Sequence, residues 1–154
     1  MDGSGARMAH GHRGVRIALI TVVTAAVRGA LQIFGTDYPT PDGTAIRDYV
    51  HVIDLAEAHL KALEFLEDGG ESTAVNLGTG IGSSVFEVLA SAEKAIGSPV
   101  PYELAPRRPG DPVALFSNGV HARTLLGWNP HYGLDDIVSS AWAWHCTHPD
   151  GFND

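Results

Sequence analysis

The sequence predicts a single α/β domain, on three observations. Strand-like and helix-like runs alternate along residues 31–145, the pattern of a layered α/β fold. The 154 residues, 44% hydrophobic and 18% charged, suffice for one core and leave little room for a second domain. Eighteen Gly and nine Pro are scattered without period, which excludes collagen-like order and low-complexity disorder but promises many turns.

Taken in order, Leu31 to Phe34 is a short apolar strand closed by Gly35, and residues 36–43 (Thr-Asp-Tyr-Pro-Thr-Pro-Asp-Gly) hold too many turn formers to be regular. Ala45 to Val52 alternates and is rich in β-branched and aromatic residues, so it reads as a strand. Asp54 is placed to cap a helix from Leu55 to about Leu66 that stops at Gly69-Gly70, with Leu55, His59, Ala62, Leu63 and Leu66 on one face. Thr73 to Leu77 reads as a buried strand and Gly78-Thr79-Gly80 as a turn. Ser84 and Glu87 form a capping box for a helix that runs to Ile96 before Gly97. Pro99 to Leu104 is a further strand, whereas Ala105 to Pro112 contains three prolines and must be loop. Asn118 caps a short helix ending at Gly127, and Leu134 to His145 makes a final amphipathic helix.

Charge divides the chain. Residues 1–30 hold four arginines against one aspartate, net +3, which leaves six basic and seventeen acidic residues in 31–154, net −11. We therefore separate an atypical basic and apolar lead, 1–30, with one helix at 17–28, from a domain at 31–154. Within the lead, Ile17 to Val27 is too short to span a bilayer, and Gly29-Ala30 is a poor cleavage pattern for a signal peptide. A net charge of −8 argues against a basic nucleic-acid-binding surface, and no segment argues for a membrane. The single cysteine, Cys146, excludes an intrachain disulfide and a zinc site with two cysteine ligands; that usage fits a cytoplasmic protein. His145, Cys146 and His148 sit at the end of a helix, where adjacent positions point about 100° apart, so no metal site is expected there.

Chemistry enters through arginines. Arg47 lies in Ile46-Arg47-Asp48-Tyr49, and Arg107-Arg108 in the proline-braced loop. A guanidinium on a strand end or stiff loop holds phosphate oxygens through two parallel hydrogen bonds, each worth about 1.5–3 kcal/mol when charge-assisted. Asp111, three residues after Arg108, cannot bind phosphate but can accept from a pair of ribose hydroxyls. Phosphate donors beside a hydroxyl acceptor describe a nucleotide, and Phe34 offers a stacking face for a base. The competing reading of the same residues is surface ion pairs and a core phenylalanine. Gly78-x-Gly80-x-Gly82 is the nearest approach to a dinucleotide phosphate cradle, but its spacing is wrong, and no glycine-rich fingerprint stands between a strand and a helix anywhere.

Five segments carry a resemblance: Gly35 to Ala56 (Gly-Thr-Asp-Tyr-Pro-Thr-Pro-Asp-Gly-Thr-Ala-Ile-Arg-Asp-Tyr-Val-His-Val-Ile-Asp-Leu-Ala), Val75-Asn-Leu-Gly-Thr-Gly80, Ala105-Pro-Arg-Arg-Pro-Gly-Asp111, Leu126-Gly-Trp-Asn-Pro130 and Trp142-Ala-Trp144. In order and spacing they resemble the carboxy-terminal part of UDP-glucose 4-epimerases, extended short-chain dehydrogenase/reductase enzymes of the NAD-dependent epimerase/dehydratase family. The resemblance covers about residues 31–153 and extends weakly into 17–28, where the family has a helix. It implies the nucleotide-sugar-binding portion of that α/β fold, without most of the Rossmann domain.

The resemblance also implies a site. Gln32, Ile33 and Phe34 would lie along the uracil and its ribose, with Phe34 against the base. Arg47 and Arg108 would hold the diphosphate, Asp111 the ribose hydroxyls, while Pro109 and Gly110 shape the loop. Leu115 falls at a gate position whose size influences whether N-acetylated sugars fit, and Tyr49, His51 and Asp54 match family scaffold residues. The family interconverts UDP-glucose and UDP-galactose, in galactose metabolism, with a bound NAD and a tyrosine assisted by a lysine four residues later. No Tyr of this sequence is followed four positions later by Lys, so no catalytic residue and no cofactor contact is expected in this chain. The expectation is a truncated epimerase: ligands UDP-glucose and UDP-galactose, NAD bound only in the full-length family, a partner chain supplying the NAD-binding domain, and no turnover alone. The other readings are a non-catalytic nucleotide-sugar-binding module or pseudogene product, and a related nucleotide-sugar epimerase or dehydratase. Surfaces that pack on the dinucleotide domain in the family would leave a raw apolar face here.

Overall fold

The structure, a computed structural model, describes residues 30–149 and 151. The basic lead up to residue 29 and the helix read at 17–28 lie outside the described residues. The elements follow in the order β1 (Leu31–Phe34), β2 (Ile46–Asp48), α1 (Val52–Glu67), β3 (Gly82–Ser84), α2 (Val85–Ile96), β4 (Tyr102–Ala105), β5 (Ala114–Leu115), α3 (Val120–Leu126) and α4 (Leu134–Thr147). The strands form two small sheets. β1 lies parallel to β4, while β2 is the middle of three, antiparallel to β3 and parallel to β5.

β1 follows the strand period of two: Leu31 and Ile33 are buried, and Gln32 and Phe34 take the other face. Leu31 and Ile33 join Val88, Leu89, Ala92, Val100 and Val138 in the main core, so β1 is the floor on which α2 and α4 pack. Across the α2–α4 contact, Ser91 Oγ donates to Asp135 at 2.6 Å and Lys94 Nζ pairs with the same carboxylate at 2.5 Å. A second cluster gathers Ala58, Ala122 and Trp128, with Val50, Val75, Leu77 and Leu126 around it.

The start of α2 ties the turn-rich loop to the core. Ser84 Oγ accepts from Glu87 N and Glu87 Oε2 accepts from Ser84 N, so the capping box read from the sequence is complete. Ser84 Oγ also donates to Asp42, whose other carboxylate oxygen accepts from both the backbone and the hydroxyl of Thr44 at 2.8 Å. Burial pushes the Asp42 carboxyl up, but the hydrogen bonds from Ser84 and Thr44 outweigh it and hold it below its ordinary value. A carboxyl lowered on folding stabilises the protein above its unfolded pKa, and that contribution is lost as pH falls through the folded value. Asp42→Ala is therefore expected to cost about 1–2 kcal/mol at neutral pH. It should also flatten the pH dependence of stability below about pH 4, which urea melts at pH 7 and pH 3 would check.

Elsewhere the structure moves boundaries. The strand expected over Ala45–Val52 is only Ile46–Asp48, because α1 starts three residues earlier than read, at Val52. Its N-cap is His51, whose Nδ1 accepts from Ile53 N, and not Asp54. Asp54 is fully buried inside the helix and serves a distant loop. Thr73–Leu77 forms no strand, and most of it is exposed. A buried strand needs a neighbour on at least one edge to satisfy its backbone, and no described strand lies beside this segment. The strand read at Pro99–Leu104 is Tyr102–Ala105; Pro101 has no N–H to give, and instead accepts from Leu31 N at 2.8 Å through its carbonyl. Gly119 is the N-cap of α3, while Asn118 Oδ1 still accepts from Val120 N. α4 runs two residues beyond His145 to Thr147.

The face of α1 expected to be apolar and inward is largely open. Of the residues read onto it, His59, Leu63 and Leu66 are exposed and Leu55 and Ala62 half-buried, and only Asp54 and Ala58 of this helix are buried. Ala62, Phe65 and Leu66 line an open apolar groove with Val75, Leu77, Leu125 and Leu126. Val52, Ile53 and Ile81 are likewise exposed.

Candidate functional site

The parallel pairing of β1 with β4 decides where the site forms. Phe34, the last residue of β1, is in register with Ala105, the last of β4, and Gly35 N donates to Ala105 O at 2.8 Å. The chain therefore leaves both strands at one place, and the proline-braced loop that follows β4 crosses the end of β1. Gly35 makes the crossing possible: it has φ +80°, and a Cβ there would sit 2.6 Å from both the Arg107 side chain and the Tyr38 ring. The two loop arginines part company here. Arg107 pairs with Asp37 at 2.6 Å and lies 4.0 Å over Tyr38, fastening the 36–43 turn. Arg108 lies 3.8 Å over the Phe34 ring, so the ring that sequence reading set against a base carries a guanidinium on one face. Ile33, in the same expected set, is 1% exposed and packs in the main core, whereas Gln32 is exposed.

The second half of the site comes from the three-stranded sheet. Arg47 sits in the middle of β2, opposite Ser83 on β3 and Leu115 on β5. Its Nη1 donates to Ile46 O at 2.7 Å, and its Nη2 is 3.4 Å from Asp111 Oδ1, both side chains being 10% exposed. Arg47 Nη2 is buried without a hydrogen-bond partner. Asp111 reaches it through a tight turn, Arg108-Pro109-Gly110-Asp111, closed by Asp111 N to Arg108 O at 3.2 Å. Proline second and glycine third, the latter at φ +82°, are what a type II turn requires. Leu115 is 63% exposed and borders the same surface. Arg47, Asp111 and Leu115 are thus brought together on the three-stranded sheet, Arg108 and Phe34 lie together where β1 and β4 end, and the Arg108–Asp111 turn joins the two groups.

Two further carboxylates pin loops to the fold: Asp48, which the sequence reading did not single out, and Asp54, which it read as a helix cap and a scaffold residue. Asp48 accepts from Thr79 N, Thr79 Oγ1 and Ser117 N, which pins the 78–80 turn and the segment after β5 to β2. Those amides were the nearest approach to a phosphate cradle, and a carboxylate already fills it; a Cβ at Gly78 would lie 2.6 Å from Asp48 Oδ2. The described residues therefore do not fit a dinucleotide pyrophosphate there. Asp54 accepts from His131 N at 3.0 Å and Tyr132 N at 3.2 Å, and its carbonyl accepts from Trp128 Nε1 at 2.8 Å. Neither role has a local signal, because the partners are 31 to 78 positions away. Tyr49, read as scaffold, has a buried hydroxyl with no partner. Burial pushes its phenol up, the nearby Arg47 charge pulls it down, and burial wins, so it keeps its proton. Among the described residues, no three of His, Cys, Asp and Glu gather to hold a metal, and no helix is long and apolar enough to cross a membrane.

A model of the NAD dependent epimerase/dehydratase family matches residues 3–78 of this chain. That match reaches into the lead segment, further toward the amino terminus than the motif resemblance. The chain is similar to UDP-glucose 4-epimerases. It is 48% identical over 139 residues to the one from Lacticaseibacillus casei, covering 90% of this chain and 42% of the relative. With that of Streptomyces lividans it is 45% identical over 150 residues, covering 97% and 45%. Among solved structures, a UDP-glucose 4-epimerase superposes with a TM-score of 0.84 at 42% identity over 90% of this chain and 43% of that one. The enzyme from Bifidobacterium longum, solved in complex with NAD+ and UDP, gives 0.79 at 40% identity over 91% and 42%. The chain thus spans about two-fifths of the length of the relatives it matches, and its fold is a partial extended short-chain dehydrogenase/reductase.

Proposed function

We propose that this chain carries the UDP-binding surface of a UDP-glucose 4-epimerase, with UDP-glucose and UDP-galactose as its ligands and galactose metabolism as its setting. One observation carries the reading: a buried guanidinium nitrogen of Arg47 lacks a hydrogen-bond acceptor, and Arg108 opens the Pro109-Gly110 turn that sets Asp111 3.4 Å from it. A diphosphate oxygen would supply that acceptor. Gln32, the Ile33 backbone and Phe34 then run along the uracil and ribose, Asp111 takes the ribose hydroxyls, Pro109 and Gly110 hold the turn, and Leu115 borders the sugar. Gripping the nucleotide far from the reacting carbon leaves the sugar free to present either face.

In this reading the NAD-binding and proton-transferring groups come from a partner chain or domain. The sequence has no Tyr-x-x-x-Lys pair, and Asp48 occupies the only glycine-rich turn that approaches a phosphate cradle among the described residues. The chain by itself binds no NAD, acts in the cytoplasm, and turns over no substrate. Calorimetric titration of the purified chain with UDP tests the binding claim, and incubation with UDP-galactose and NAD+ tests the second. We expect one UDP site and no UDP-glucose formed. A folded chain that takes up no UDP overturns the first statement, and turnover overturns the second.

A further inference from the structure

The Arg47–Asp111 pair sets an anion-binding guanidinium against a carboxylate inside the site itself. Asp111 Oδ1 is 3.4 Å from Arg47 Nη2, at an exposure low enough to limit screening by solvent. Their geometry does not make a hydrogen bond, so Arg47 Nη2 keeps an unsatisfied donor. Asp111 cannot easily withdraw, because its N–H closes the turn to Arg108 O and Pro109-Gly110 fixes the path between. Arg108 has the Phe34 ring as its recorded neighbour, and Arg107 is committed to Asp37. Arg47 is therefore the arginine of the three whose anion-binding face is shared with a carboxylate of the ligand site.

We infer that Asp111 is a charge filter on the anion site. It disfavours bare phosphate and pyrophosphate on Arg47, and gives way to a diphosphate that brings a nucleoside. The inference rests on the reading that Arg47 and Arg108 hold a nucleotide diphosphate and Asp111 its ribose. A phosphate oxygen placed on Arg47 Nη2 lies against the Asp111 carboxylate, and two anions in a poorly screened site repel. Ribose hydroxyls change the sign of that encounter. They donate to the carboxylate where it stands and offset its charge, so the group that penalises pyrophosphate becomes a contact for UDP. The selectivity comes from a repulsive element as much as from an attractive one.

The test is calorimetric titration of the full chain, wild type and Asp111→Asn, with UDP and with inorganic pyrophosphate. Pyrophosphate should tighten by about tenfold or more in the variant while UDP weakens, so that the preference for UDP collapses. Pyrophosphate affinity that is unchanged or weaker in Asp111→Asn overturns the filter. If UDP fails to bind wild type and pyrophosphate still tightens in the variant, the filter stands and the nucleotide reading falls. If UDP binds wild type and pyrophosphate does not tighten, the nucleotide reading stands and the filter falls; if neither ligand binds either protein, both fall. Asp111→Ser removes the charge by a second route, and the same tightening in either variant that keeps its circular dichroism melt supports the filter. Loss of folding in both would make Asp111 a scaffold residue and overturn it.

Discussion

Arg108→Ala is expected to weaken UDP binding by about 100-fold or more, the cost of truncating one side of a charge-assisted contact to a bound anion. The recorded contact of Arg108 is the face of Phe34, and an arginine on an aromatic ring at a partly exposed site is worth about 0.5–1 kcal/mol, so the fold should survive the change. Arg107→Ala separates the direct effect from an indirect one. Arg107 holds Asp37 and Tyr38, so its removal should loosen the 36–43 turn and lower the melting temperature, with a smaller loss of UDP affinity than Arg108→Ala. Titration and thermal melts of both variants read the two quantities apart. Equal affinity losses, or a loss for Arg107→Ala alone, would remove Arg108 from the site.

The largest effect on stability is expected at Asp54. Its carboxylate accepts two backbone N–H groups of the loop before α4, and the residue is 0% exposed. Asp54→Ala leaves those donors without partners and opens a space beside Trp128, also 0% exposed, whose indole donates to the Asp54 carbonyl. Two hydrogen bonds to a carboxylate, each about 1.5–3 kcal/mol, put the loss near 3–6 kcal/mol. Asp54→Asn retains one acceptor oxygen and should lose roughly half as much. Urea denaturation of the three proteins checks the order. A cost below about 1 kcal/mol for Asp54→Ala would return Asp54 to the minor helix-end role that its sequence position suggests.

That contrast shows where sequence reading stops. Ser84 and Glu87 announced a capping box because both partners lie within one helical turn, and the structure has it. Gly97, following the last apolar residue of α2, stands at φ +79° as a helix stop. The turn-forming residues of 36–43 and the prolines after Ala105 likewise act locally: 36–43 is loop, and the chain leaves β4 at Ala105, one residue later than read. Asp54 failed as a local signal: an acid before an apolar run looks like a cap, but a histidine three residues earlier caps the helix, and the acid is spent on positions 131 and 132. Thr73–Leu77 failed for a related reason, since its β-rich composition cannot pair without a neighbouring strand.

The sequence by itself determined the alternation of strands and helices, the α2 cap and stop, the loop positions and, through five motifs in register, the family resemblance. It also contained every residue of the candidate site, because arginine, aspartate and turn-forming prolines announce anion chemistry by type. Only the tertiary structure decided which of them meet. Parallel pairing of β1 with β4 carries the loop across Phe34, pairing of β2 with β5 puts Arg47 beside Leu115, and the turn at Pro109-Gly110 sets Asp111 against Arg47. Those juxtapositions join residues up to 74 positions apart, and so depend on strand register and close packing, which no local window of sequence contains.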